Sequence, residues 1–193
     1  MHGFIPSLVD STGVPLNKSG FLGIVSGASC DDTAFEKTDL TNGSSVRPEG
    51  NSDRLEFVGY EVQADQAGKN VKKVTFSVTR YNSFTNGQIW CRIFEDASGS
   101  PTYYDSVKQN VTVLPISSTD PPDNEIQFTF TNAVTIQEGY VVAFGGDFGS
   151  QSNFCFFGFG ENYDGGYTYL LNNGTWVSYD GYGSFIKIEY ECP

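Results

Sequence analysis

The feature that most constrains this chain is a two-residue alternation of apolar and polar side chains, which begins near Arg54 and recurs in short runs to the end. Successive side chains of a strand point to opposite faces, so such alternation marks strands with one face buried. Val74, Phe76 and Val78 fall on one face, and Thr75, Ser77 and Thr79 on the other. Ile89, Cys91 and Ile93 oppose Trp90, Arg92 and Phe94 in the same way, and Ile126, Phe128 and Phe130 alternate with Gln127, Thr129 and Thr131. Tyr140-Val141-Val142-Ala143-Phe144 is apolar throughout, the pattern of a strand covered on both faces. Leu55 and Phe57, followed by Tyr60 and Val62, change phase at Gly59, which reads as a bulge. Asn86-Gly87, two positions that tolerate positive φ, reads as a hairpin turn.

Further strand-like runs cover residues 154–159, 167–171, 175–179 and 185–190. Turn residues separate the runs at the spacing of a sandwich or barrel, for about ten strands in all. Aromatics at 15% fit this pattern, because flat and branched side chains pack well on a pleated surface. The predicted fold is all-β: an antiparallel β-sandwich in its jelly-roll form over residues 54–193, preceded by an irregular N-terminal arm over residues 1–53. Gly3, Pro6, Gly13, Pro15, Gly20, Gly23, Gly27, Gly43, Pro48 and Gly50 punctuate the arm, and only Phe21-Leu22-Gly23-Ile24-Val25 reads as a strand. Such a segment has no core of its own and is expected to wrap the domain or reach a neighbouring subunit.

Charge narrows the function. Eleven Lys and Arg stand against 23 Asp and Glu, a formal net charge of −12. A nucleic-acid binder needs a basic footprint to displace counterions, and anionic membranes repel a surface like this one. No apolar run approaches the roughly 20 residues needed to span a bilayer, so no membrane insertion is expected. Met1-His2-Gly3-Phe4-Ile5-Pro6 has neither the basic nor the apolar part of a signal peptide. The expectation is a removed signal, or a protein that reaches the outside without secretion, as a virion protein does.

Catalysis finds little in the sequence. The one histidine is His2, on which any Ser-His-Asp or Cys-His arrangement would depend. There is no phosphate-cradling loop ending in Gly-Lys-Ser/Thr and no HExxH. The chain therefore reads as a non-enzyme without a cofactor. One alternative is structural calcium held by the carboxylates of Glu161 and Asp164, although their spacing matches no EF-hand.

Cys30, Cys91, Cys155 and Cys192 lie in no CxxC pair, which argues against zinc. Cys91 shares parity with Ile89 and Ile93, and Cys155 with Phe157 and Phe159, so both face apolar surroundings. A Cys91–Cys155 bridge would staple core strands, and Cys30–Cys192 would tie the arm to the C-terminal end. Four cysteines allow three pairings, and four reduced thiols are the alternative.

Tyr163, Tyr167, Tyr169, Trp176, Tyr179 and Tyr182 are interleaved with Asn, Asp and Gly near the C-terminus. Ring faces stack on the apolar face of a pyranose while amides and carboxylates take its hydroxyls, so this stretch is a candidate glycan or partner site. The same residues also suit ordinary strands and turns. Asn-x-Ser/Thr triplets begin at Asn17, Asn42, Asn110 and Asn173.

Residues 71–190 carry a wider resemblance. Val71-Lys72-Lys73-Val74-Thr75-Phe76-Ser77-Val78, Asn86-Gly87-Gln88-Ile89-Trp90-Cys91-Arg92-Ile93-Phe94, Gly139-Tyr140-Val141-Val142-Ala143-Phe144 and Phe185-Ile186-Lys187-Ile188 are similar to the strands of certain jelly-roll domains. Those domains resemble carbohydrate-binding modules and occur in prokaryotic surface proteins and in viral or phage fibre proteins. The resemblance implies a contact-making role and carries over no catalytic residue. The expected protein is a non-enzymatic structural or binding subunit of a virion or phage fibre, spike or decoration, with glycan or host-surface binding. Its expected partners are copies of itself, other particle or surface proteins, and cell-surface glycans. Its expected place is the virion surface or the extracellular space. The alternatives are a secreted adhesin or filament subunit assembled by strand addition, and a glycan-active enzyme.

Overall fold

In the computed structural model, a single long strand ties two antiparallel sheets together. The structure describes residues 34–37, 42–46, 55–81, 83–96, 102–116, 124–147, 154–161, 168–172, 175–179, 182–184 and 186–191. They form fourteen strands. These are β1 (Ala34–Lys37), β2 (Asn42–Val46), β3 (Leu55–Glu61), β4 (Asn70–Tyr81), β5 (Gln88–Phe94), β6 (Tyr103–Asp105) and β7 (Gln109–Asn110). They continue as β8 (Glu125–Thr135), β9 (Val141–Asp147), β10 (Phe154–Glu161), β11 (Thr168–Asn172), β12 (Thr175–Tyr179), β13 (Tyr182–Ser184) and β14 (Ile186–Tyr190). The helical content among the described residues is two short 3-10 turns, Ala64–Gln66 and Val111–Val113.

The first sheet runs β1-β14-β4-β8 and the second contains β3-β9-β5-β6. Numbered along the chain, β1, β3, β4, β5, β6, β8, β9 and β14 are eight strands whose orders are then 1-8-3-6 and 2-7-4-5. That interleaving is the jelly roll, in which chain ends and middle pair across one another and the two sheets close over a common core. The expected fold class is therefore the observed one. β4 pairs with β8 and β14 along its first part, and then with β10 through Val78–Tyr81, which links the sheets. β2 is inserted between the first and second strands of the roll, and β10 to β13 between the seventh and eighth.

Val74, Phe76 and Val78 of β4 meet Phe128 and Phe130 of β8, Ile186 and Ile188 of β14, Val58 and Tyr60 of β3, Ile89, Cys91 and Ile93 of β5, and Val142 and Phe144 of β9 in one buried core. Phe76 sits at its centre, with ring centroids 5.5–6.2 Å from Phe128, Phe144 and Phe157. A register shift between Val71 and Lys73 changes the phase of β4, so that Val71 joins the same core.

Three local expectations are corrected. No register shift occurs at Gly59, because β3 pairs with β9 without interruption from Phe57 to Glu61. The phase change in the sequence has another cause: both faces of β3 are apolar, with Val58 and Tyr60 inward and Phe57 in a separate cluster outside. Asn86-Gly87 is not a hairpin turn. β4 and β5 do not pair with each other: β4 pairs with β8, β14 and β10, and β5 with β9, β6 and β7, and Gly87 stands at φ 135° just before β5. Strands also arise inside the segment read as an arm: β1 pairs with β14, and β2 pairs with β10. Residues 21–25 lie outside the described residues.

Candidate contact surface on the second sheet

A two-layer sandwich needs one apolar face per sheet, and the second sheet has two. Phe57, Trp90, Phe94, Val141 and Ala143 form a buried cluster on the side facing away from the main core. Register explains how they meet. Phe57, Gly145 and Trp90 are cross-strand partners in one row; Gly59, Ala143, Arg92 and Asp105 make the next; Glu61, Val141, Phe94 and Tyr103 make the third. The apolar run at Tyr140–Phe144 is thus covered on both sides as expected, with Val142 and Phe144 inward and Val141 and Ala143 outward.

Gly145 gives the surface its shape. The Phe57 ring lies across this glycine, where a Cβ would collide with it. From there the ring meets Trp90 edge-on at 6.2 Å and Phe94 at 5.3 Å and 87°. Arg92 lies among these rings, its guanidinium carbon 5.2 Å from the centre of Phe57, 5.7 Å from Trp90 and 3.7 Å from Tyr103. Nε and Nη2 donate to the two carboxylate oxygens of Asp105, the second bond at 2.8 Å. A forked ion pair held against aromatic faces is rigid, because planar guanidinium fits both partners at once.

Between β6 and β7 the chain bulges. Arg92 faces Asp105 and Ile89 faces Gln109, so three residues span the step that takes two on β5. The buried Ser106 fills the gap, its N–H donating to the Cys91 carbonyl and its hydroxyl accepting from the Cys91 N–H. Val107 turns away and donates its N–H to the Thr129 carbonyl on β8, while the Gln109 side chain donates to the Gln127 carbonyl. Those two bonds cover carbonyls of the β8 edge, which pairs with β4 on its other side. The bulge also returns Lys108 to the outer face, where its ammonium sits 4.2 Å from the centre of the Trp90 ring. The Trp90 indole N–H is buried and has no hydrogen-bond partner among the described residues.

The aromatic residues predicted from the C-terminal stretch divide. β11 and β12 pair antiparallel, with β11 against β3, in the register Trp176–Leu171–Phe57 and Ser178–Tyr169–Gly59. Tyr169 and Trp176 therefore occupy register positions of the outer face. Tyr179 pairs with Thr168, which pairs with Tyr60, and so holds a position of the opposite parity. Tyr182 lies on β13 opposite Glu161 of β10. Tyr163, Asp164 and Tyr167 lie outside the described residues, as do Cys30 and Cys192. Among the described residues no group of three or more His, Cys, Asp or Glu is placed to hold a metal.

Cys91 and Cys155 are free thiols, fully buried in the main core. Burial pushes both well above the ordinary thiol value, with the charge of Asp105 adding to the rise at Cys91. The outer cluster of Phe57, Arg92, Asp105, Tyr103 and Lys108 was missed as a site in the sequence. A cation flanked by aromatics two residues away on either side, Trp90-Cys91-Arg92-Ile93-Phe94, was the available signal.

No known protein family, curated protein or solved structure matches this chain.

Proposed function

We propose that this protein is a non-enzymatic structural and binding subunit of a particle surface, of the kind that builds a virion or phage fibre, spike or decoration. It makes its assembly, glycan or host-surface contacts through the outer face of the second sheet. The observation that carries this reading is the second apolar cluster, in which Phe57, Trp90 and Phe94 lie on a face that the sandwich core does not use. A jelly roll hosts many functions, so the fold alone argues little; the second cluster is itself buried, and its exposed margin at Tyr103 is what a partner would reach. Tyr103, 50% exposed, continues the aromatic surface to the β6 edge, where Tyr104, 40% exposed, holds the register position of the opposite face beside Ile93. An acidic chain of net charge −12 stays soluble and repels polyanions, which favours selective contacts over indiscriminate adhesion.

Sedimentation of the full chain, with and without Tyr103→Ser and Tyr104→Ser, tests the assembly role. The expected result is a defined oligomer that the double substitution weakens. A monomer at all concentrations that also binds no glycan on an array would overturn the proposal.

A further inference from the structure

We infer that Asn86-Gly87 is a site of spontaneous modification. There the asparagine side chain closes on the following backbone nitrogen and leaves aspartate and isoaspartate in the ageing protein. Asparagine is a thermolabile side chain, and glycine is the follower that obstructs ring closure least, having no side chain beside its nitrogen. The dipeptide occurs three times, at Asn42-Gly43, Asn86-Gly87 and Asn173-Gly174. Asn173-Gly174 lies outside the described residues, and the fold treats the other two differently.

The ring forms only where the glycine nitrogen is free to lose its proton and turn toward the asparagine side chain. Asn86 is exposed and lies outside any strand. Its side chain has no hydrogen-bond partner among the described residues. The Gly87 N–H likewise has no acceptor among them, while the Gly87 carbonyl accepts from the Val111 N–H at 3.1 Å. Gly87 stands at φ 135°, in the region that favours glycine. Anchors bracket the pair: the Phe84 ring packs against the main core and the Phe84 carbonyl accepts from Arg80 Nη1, and Val111 holds the carbonyl of Gly87. Between them the two reacting groups have no bond to a described residue to give up.

Asn42-Gly43 has the opposite setting. Both residues lie inside β2, where Asn42 pairs with Phe159 and Gly43 with Gly158 of β10. A ladder holds the backbone extended, so this pair reacts only when the strand opens.

The chemistry needs only water. The Gly87 nitrogen gives up its proton and bonds to Asn86 Cγ; the Cγ–Nδ2 bond breaks, and ammonia departs with that proton, leaving a cyclic imide. Water then opens the ring at either carbonyl. Opening at Cγ restores the backbone and leaves an aspartate. Opening at the backbone carbonyl carbon routes the chain through Cγ and leaves isoaspartate, with an extra methylene in the main chain just before β5. Either product adds one negative charge. The isoaspartyl form also lengthens the link to Gly87, whose carbonyl holds the start of the Val111–Val113 turn.

The test incubates the full chain, folded and in urea, at mildly alkaline pH. Peptide mapping reads the amide-to-acid mass gain, and enzymatic methylation of the isoaspartyl carboxylate distinguishes the two products. In the folded protein Asn86 is expected to convert at least about tenfold faster than Asn42, the factor given by a ladder opening of about 1.4 kcal/mol. In urea the two rates are expected to converge, because the dipeptide is the same. Conversion is expected to accelerate with rising pH, since the nitrogen must lose its proton. Asn86→Gln is expected to abolish it at this position, because the larger ring closes poorly. In the isoaspartyl fraction, hydrogen exchange at the Val111 amide is expected to rise, and an unchanged rate would overturn the effect on the turn. Equal conversion of Asn86 and Asn42 in the folded chain would overturn the inference, as would an Asn86 that stays intact when folded and reacts only in urea.

Discussion

The Arg92 guanidinium carbon lies 3.7 Å from the centre of the Tyr103 ring, while the same side chain grips Asp105 with two parallel hydrogen bonds. Arg92 and Asp105 are 17% and 25% exposed in their side chains, so solvent screens the pair only partly. Arg92→Leu is expected to destabilise the protein by about 2–3 kcal/mol, because it strands the Asp105 carboxylate and removes the cation from the ring faces. Asp105→Asn costs less, since it keeps an oxygen acceptor. A double-mutant cycle read by urea denaturation is expected to give a coupling of about 1–2 kcal/mol. A coupling near zero would show the pair to be an ornament of the surface.

Gly145 and Phe57 make a second coupled pair. Gly145→Ala places a methyl group where the Phe57 ring lies, and the expected cost is about 1–3 kcal/mol of overpacking. In a Phe57→Leu background the same substitution is expected to cost markedly less, because the smaller side chain vacates the space over the glycine. Equal costs in both backgrounds, measured by denaturation midpoints, would contradict the packing described for this row.

How much of this was legible in the sequence depended on how many layers a strand touches. The core-facing parity of β5 and of β4 from Val74 onward follows from alternation, because Val74, Phe76 and Val78 and Ile89, Cys91 and Ile93 join one core, although the residues between them are mostly buried as well. β3 defeated the same logic: with apolar residues on both faces, Phe57 and Val58 look like a phase error. Asn86-Gly87 misled because its chemistry reports a locally permissive backbone and says nothing about whether the flanking strands share a sheet. β1 and β2 were invisible for a related reason. Asn42-Gly43-Ser44-Ser45-Val46 has no β pattern of its own, and its strand identity comes from pairing with β10, a partner more than a hundred residues away. The parity of Trp176 and Tyr179 shows that neighbours in sequence do not make a platform. An odd separation along one strand puts them at positions of opposite faces.

Phe76 tests the core. Its ring is fully buried and lies within 6.2 Å, centroid to centroid, of rings from β8, β9 and β10. Phe76→Ala is expected to cost about 3–5 kcal/mol, and Phe76→Leu less, because a leucine refills part of the cavity. If the alanine variant lost under 1 kcal/mol, the meeting of the two sheets at this residue would be wrong.

The alkaline limb of stability follows from three buried groups. Burial holds the Cys91 and Cys155 thiols above their ordinary 9.0 and the Tyr60 phenol above its ordinary 10.0, the last despite an opposing hydrogen bond from Gln66. In each case the folded value exceeds the unfolded one, so the unfolded chain releases the proton first as pH rises. Stability from these groups is therefore complete below the ordinary values and is lost above them, by about 1.4 kcal/mol per pH unit for each group ionised only in the unfolded chain. Urea midpoints are expected to hold between about pH 7 and 8.5 and to fall above 9, with Tyr60→Phe flattening the slope above 10. Over the same window Cys91 and Cys155 are expected to resist alkylation in the folded protein and to react once urea unfolds it, as peptide mass mapping would show. Rapid labelling of either thiol at pH 8 without denaturant would mean that the core opens around them, and the alkaline loss of stability would then need another origin.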